Sequence, residues 1–579
     1  MPKDLIFRAI VVATLAVIVA IVLFGTGSAP ILHLSDWLAL EPAHVEGDAT
    51  GIFGLAEFFA ILALFVTIFN VSDFRYRYRA SVWPLNVRTI GLGAIISISL
   101  ILILTEFWFQ NHFLLPHFLN SYANLKLVLA TFFAAIVYVF VAACFVWPPR
   151  FWQMNARRFY EVTNYYVHQG NTDRLQAIAE ELSSAIEDIF VYASKIQIDD
   201  NPSLTSLLAH DVMLILADRR FCHVVVDRVP GLALRCFRLA STYPTVPFAD
   251  FAHFIGQEFI ANTNSAFYRE DVFGSGYSRY AKPISNAVFG NYELVERCAS
   301  KRWSPLDVDY RKIGRFDEET IEGFYRAATS FVTVYLEKTR GRIHSYAFAR
   351  LLGSFESMTS QMSTVESMGE SWYRSPAYAG LSHSIRFIEF AVKVMDKLQI
   401  APTSLRERKD LPLDPYDGLA ALFYEAVLHA AFVAQPEFRC WDIQHNVVWA
   451  GALNFYQPSK ALAALKFKIR RKLYDKIREM DRFPNFVGAR ILGFCLNVLG
   501  LQLINRHKNY LHRWDYPLQC VVLHWTKRNF RWLTEEYPNL LPVCLQGFIS
   551  YDKDGHRLAQ ANGNKIRQTP SSLIYLDLD

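Results

Sequence analysis

Four long apolar runs fall within the first 150 residues, and they constrain the chain more than any other feature. A hydrocarbon core about 30 Å thick needs roughly 20 helical residues to cross it. The runs extend from about Leu5 to Phe24, Gly51 to Val71, Thr89 to Phe109 and Leu125 to Trp147. A lone span satisfies its backbone hydrogen bonds internally only as a helix. The pattern predicts a four-span, four-helix transmembrane anchor over residues 1–148.

Lys and Arg in the short loops set the orientation of such an anchor. The first loop, Gly25 to Thr50, has neither and carries Asp36, Glu41, Glu46 and Asp48. The second, DFRYRYRASVWPLNVR, holds Arg75, Arg77, Arg79 and Arg88, and the third has only Lys126 at its edge. Arg150, Arg157 and Arg158 follow the fourth run. Both termini are expected inside, with the protein in the plasma (inner) membrane and its main domain cytoplasmic. GSAP after the first run admits cleavage of a signal peptide, although that run is longer than the usual signal core.

Glu57 stands about two turns into the second run, where an ionisable group is costly and is a functional candidate. The alternative is a protonated or water-facing residue near the outer interface. Glu106, His112 and His117 cluster around the outer end of the third run and read as interfacial residues rather than a proton or metal site.

Hydrophobic residues make up 52% of the chain and charged residues 20%, so the distribution must be uneven. Acids and bases balance in residues 1–150, which leaves the net charge of +5 to the remainder. That remainder has the helical period. Leu175, Ile178, Leu182, Ile186 and Ile189 recur at steps of three and four behind Asn171 and Thr172. Asp317 and Ser459 stand where N-caps are wanted, and Asp417 is expected to cap GLAALFYEAVLHAAF. FISYDKDGHRLAQANG reads as a β-hairpin, with SLIYLDLD as a further edge strand. The fold class is therefore mainly α: the anchor, then a helical cytoplasmic subdomain over 149–400 and a basic helical subdomain over 401–579 ending in a small β-hairpin. The small polar stretch Ser357–Ser371 and the proline-bearing Ala401–Pro415 read as loops within this assembly.

No cofactor, metal or catalytic motif rises above its plain reading. His253 and Glu258 are five apart, a poor spacing for two ligands on one helix face. Glu270, Asp271, Gly274 and Gly276 lack the strand, third glycine and lysine of a phosphate loop. His429, His445, and Cys222 beside His223 read as buried, satisfied side chains. Asp552, Asp554 and Gly555 lack the bidentate Glu of a calcium loop. The eight cysteines contain no CxxC pair and read as reduced, mostly buried thiols.

The strongest signal is electrostatic. From Lys460 to Arg531 there are sixteen Lys and Arg against four acids. One amphipathic helix, SKALAALKFKIRRKLYDKIREMDRF, concentrates them. Leu462, Leu465, Ile469, Leu473, Ile477 and Met480 form its apolar stripe. Lys466, Lys468, Arg470, Arg471, Lys472, Lys476 and Arg478 are the candidate anion-binding residues. Anionic lipid or an acidic protein is the expected partner, nucleic acid ranks below them, and a core-packed helix with a solvated face is the plain reading. The favoured function is a membrane-anchored cytoplasmic sensor, scaffold or interaction protein with its basic surface near lipid. The rivals are a channel or transporter formed by oligomerised spans, and then an enzyme at the membrane surface.

Overall fold

The computed structural model describes residues 73–84, 147–197, 201–270, 282–309, 313–406, 414–453, 459–503, 515–561 and 573–579, with short or single positions before residue 147. It is mainly helical, with a three-stranded antiparallel sheet near its C-terminus.

Among the described residues no helix is long and apolar enough to cross a membrane. That finding overturns the four-helix transmembrane anchor and the integral-membrane description expected from the sequence. Two of the three longest described helices show why: Thr172–Ala193 carries Arg174, Glu180, Glu181 and Glu187, and Glu318–Thr339 carries Glu322, Arg326 and Lys338. Most of the four apolar runs, and Glu57 with them, lie outside the described residues.

The chain divides into two compact units, Met1–Val224 and Val225–Asp579. In the first, α1 (Phe74–Val82), α2 (Ala156–Gln169), α3 (Thr172–Ala193) and α4 (Leu204–Ile215) pack together. The arginine-rich FRYRYR run is helix α1, and it faces protein. Tyr78 is fully buried with its hydroxyl 2.9 Å from Thr163 Oγ1 on α2. Arg79 grips Glu181 of α3 through two bonds of 2.7 and 2.8 Å, and Arg75 pairs with Glu180. Asn155 Nδ2 donates to the carbonyls of Val82 and Arg150, at 3.1 and 2.7 Å. Asn171 caps α3 by accepting from Arg174 N at 3.1 Å, and the whole predicted stripe from Leu175 to Ile189 is buried. A two-stranded antiparallel ribbon pairs β1 (Leu40–Pro42) with β2 (Leu114–Pro116).

In the second unit, α5 (Pro230–Thr242), α6 (Ala249–Ala261) and α7 (Tyr292–Lys301) lead into a stack of longer helices. These are α8 (Glu318–Thr339), α9 (Tyr346–Thr359), α10 (Pro376–Lys397) and α11 (Pro415–Ala430). Asp317 caps α8, accepting from Thr320 N at 2.8 Å. Helix α11 is capped one turn earlier than expected. Asp414 accepts from Asp417 N, and Asp417 returns the bond to Asp414 N, so Asp417 is the inner member of a capping box.

The stretch 357–371 is ordered by its neighbours. Glu366 Oε1 accepts from the backbone N–H of Ala434 and Gln435, at 3.3 and 3.2 Å. In return Arg439, itself buried, donates to the carbonyls of Val365, Glu366 and Gly369 at 2.7, 3.2 and 3.1 Å. A π-helical segment, Asp442–Ala450, follows and presents Gln444 to Gln546 and Asn497, at 2.7 and 2.9 Å.

The basic helix α12 (Lys460–Glu479) lies against α11, with α13 (Phe486–Leu499) and α14 (Tyr516–Glu536) packed on it. The hairpin is formed by β3 (Ile549–Asp552) and β4 (Arg557–Ala561), and β5 (Leu573–Asp577) adds the third strand beside β4.

Candidate functional site

The candidate face is built on α12 and α14. Ser459 caps α12, its hydroxyl accepting from Leu462 N at 3.1 Å. The buried stripe Leu462, Leu465, Ile469, Leu473, Ile477 and Met480 seats the helix on its neighbours and fixes where its cations point.

The seven predicted cations separate by depth. Lys468 is 4% exposed and paired with Asp417 and Asp414 at 2.5 and 3.6 Å, so it belongs to the core rather than to the surface. Lys466 is half-buried, and burial pushes its ammonium below the usual lysine range against the pull of Asp515. Lys472 stands near Glu425. Arg470 lies over the Phe467 ring at 5.4 Å. Arg471 pairs with Asp475 at 3.3 Å and Lys476 with Glu479 at 2.7 Å, both toward solvent. Arg478 is exposed and lies over Tyr474 at 5.9 Å.

Other cations of this face fall outside the predicted set. Arg482 in the turn after α12 is exposed, as are Lys527, Arg528 and Arg531 on α14. Asn529 of α14 donates to Asp481 Oδ1 at 3.4 Å, which ties the end of α12 to the middle of α14. Arg531 is matched by Glu535 at 3.2 Å. Arg478, Arg482, Lys527 and Arg528 have no carboxylate partner among the described residues. Phe483 and Phe486 after α12, and Trp532 and Tyr537 at the end of α14, are also exposed. The sequence signal was the run WTKRNFRW and the charge excess, which marked the region without showing that two helices share one face.

The remaining candidates resolve into structural roles. His253 is buried, bonded to Ser304 O at 3.2 Å and Gln257 at 3.1 Å, and its ring stacks on Trp303. Glu258 is half-buried on the same helix, and Asp271, Gly274 and Gly276 lie outside the described residues. Glu270 accepts from the Ile284 and Ser285 amides and the Ser285 hydroxyl, at 2.6, 3.1 and 2.9 Å, which joins the two sides of its loop. His445 bonds to Asn497 O at 3.0 Å and stacks on Trp441, and burial pushes its imidazole down. Cys222 donates to Leu216 O at 3.4 Å. Asp552 is occupied at the hairpin turn by Gly555 N and Arg557 Nε, at 3.1 and 2.9 Å. Among the described residues no group of three or more His, Cys, Asp and Glu could hold a metal ion.

One pair on α11 is unusual. His429 Nε2 stands 3.8 Å from Glu425 Oε2. Burial pushes the His429 imidazole down, and burial with nearby Glu356 pushes the Glu425 carboxyl up against the pull of Lys472. Each partner is driven toward its neutral form, so their closeness is a weak ion pair.

No family model, curated protein or solved structure matches the chain.

Proposed function

We propose that the chain is an interaction protein, a scaffold or sensor, that docks an anionic partner on the cationic face of α12 and α14. One observation carries this reading: Arg478 on α12, Arg482 in the turn after it, and Lys527 and Arg528 on α14 are exposed, without a carboxylate partner among the described residues. Like charges gathered on one face repel each other, and an external anion relieves that repulsion while gaining long-range attraction. The plain alternative is a solvated basic face with no partner. The conduction reading rested on the four apolar runs as spans and is set aside with them.

The test uses fluorescein-labelled heparin as a generic polyanion and follows anisotropy. The full chain should bind, and raising salt from about 50 to about 200 mM should weaken binding at least tenfold, as counter-ion release predicts for several engaged cations. Reversing the four charges (Arg478→Glu, Arg482→Glu, Lys527→Glu, Arg528→Glu) should abolish binding while the far-ultraviolet circular dichroism stays unchanged. Equal binding by both proteins, or no binding by the unmodified chain, overturns the reading.

A further inference from the structure

The turn between α12 and α13 breaks the usual division of surface and core. Phe483 is 66% exposed and Phe486 51% exposed, and among the described residues neither ring is paired with another ring. Two bare phenyl groups on one turn are an apolar projection in the middle of a cationic surface, and such patches mark contact sites.

The turn is also stiff. Phe483 N donates to Glu479 O at 3.0 Å, and Asn485 Nδ2 donates to Phe483 O at 2.9 Å. Asn485 then caps α13 by accepting from Gly488 N at 2.8 Å. Met480, fully buried, closes the turn from beneath: a Cβ on Gly488 would come within 2.5 Å of Met480 Sδ. The two acids next to the turn are engaged, Glu479 by Lys476 and Asp481 by Asn529. Arg478 and Arg482 form the shoulders of the projection, and Lys527 and Arg528 lie on the adjoining helix.

We infer that this turn is a lipid-inserting tip: Phe483 and Phe486 enter the surface of an anionic bilayer while Arg478, Arg482, Lys527 and Arg528 meet its head groups. The inference rests on the reading of α12 and α14 as an anion-docking face. Apolar side chains at the apex with cations behind them match the depth profile of a membrane interface, where acyl boundary and phosphate are stacked in that order. A single-stranded nucleic acid is held instead by aromatic platforms spaced along a charged groove. Here the two rings share one turn and flank Pro484. Preorganisation of the turn lowers the ordering cost of insertion.

The test compares sedimentation of the full chain with vesicles of phosphatidylcholine, with and without phosphatidylserine, and runs labelled heparin and a labelled single-stranded oligonucleotide in parallel. Binding should require phosphatidylserine. The double variant Phe483→Ser, Phe486→Ser should lose at least about tenfold in affinity for anionic vesicles, on the scale of two aromatic side chains withdrawn from lipid, with heparin binding unchanged. Equal vesicle affinity for variant and parent overturns the insertion, and so does equal binding to neutral and anionic vesicles. Heparin or oligonucleotide binding without vesicle binding overturns the lipid assignment and leaves the anion-docking face standing. Failure to bind any of the four probes overturns both.

Discussion

Lys468 Nζ lies 2.5 Å from Asp417 Oδ1, with the lysine side chain 4% exposed and the aspartate 12%. Asp414, also 4% exposed, stands 3.6 Å from the same ammonium, so one cation bridges both carboxylates of the capping box that starts α11. Removing one member of a buried pair leaves an uncompensated charge and costs about 3–5 kcal/mol. Lys468→Met should therefore lower the urea midpoint, followed by tryptophan fluorescence, by far more than Arg471→Met does. An unchanged midpoint for Lys468→Met would show that the bridge is dispensable. Variants that still fold should bind heparin as the parent does, because Lys468 does not reach the surface.

Glu425 gives a pH dependence with a definite sign. Its folded carboxyl is held above the usual range by burial, and then by Glu356. From the ordinary carboxylate range, near pH 4.3, up to that raised value the folded state holds the proton more tightly than the unfolded state. Stability due to this group falls as pH rises through the window, and the penalty is complete above it. Glu425→Gln removes the penalty. The variant should have a higher thermal midpoint than the parent at neutral pH, and the difference should shrink toward pH 4. A variant less stable than the parent at neutral pH would mean that the Lys472 attraction outweighs burial.

The cysteines should separate by reactivity. Cys298, Cys440, Cys495 and Cys544 are buried, and burial pushes their thiols up to about 12. Cys520 on α14 is partly exposed. The thiolate is the reacting species and must be reached by the reagent, so iodoacetamide at pH 8 should label the partly exposed Cys520 well before those four. Peptide mass mapping of a native time course checks this. Early labelling of Cys495 or Cys544 would contradict the packing around α13.

Local chemistry was legible in the sequence. The caps Asn171, Asp317 and Ser459, the stripe of α3 and the hairpin around Asp552 are all set by residues within a few positions of each other. What the sequence hid is the long-range partner. Lys468 sits on the flank of a single-stripe reading of α12, but the N-terminal half of that helix is buried over a wider arc, including Ala461, Ala464 and Lys468. The two small residues at helical spacing before Lys468 mark a close neighbour on that side, and that neighbour is Asp414 and Asp417, some fifty positions away. The same limit applies to Arg75 and Arg79. Read as loop charge they suggest topology, whereas their partners Glu180 and Glu181 tie them to α3, Arg79 in a largely buried pair and Arg75 nearer the surface.

The reciprocal hold between Glu366 and Arg439 changes what the stretch from Ser357 to Ser371 means to a protease. By composition it reads as cleavable, being small, polar and without a sustained apolar period. A protease must draw its substrate out as an extended strand, and cutting is confined to backbone that can leave its bonds locally. Here Val365, Glu366 and Gly369 give their carbonyls to one buried guanidinium, and Glu366 holds the opposing segment. The segment is cut only when that guanidinium lets go, so nicking there reports the opening of the clamp, and an Arg439→Ala chain would be the one a protease finds first.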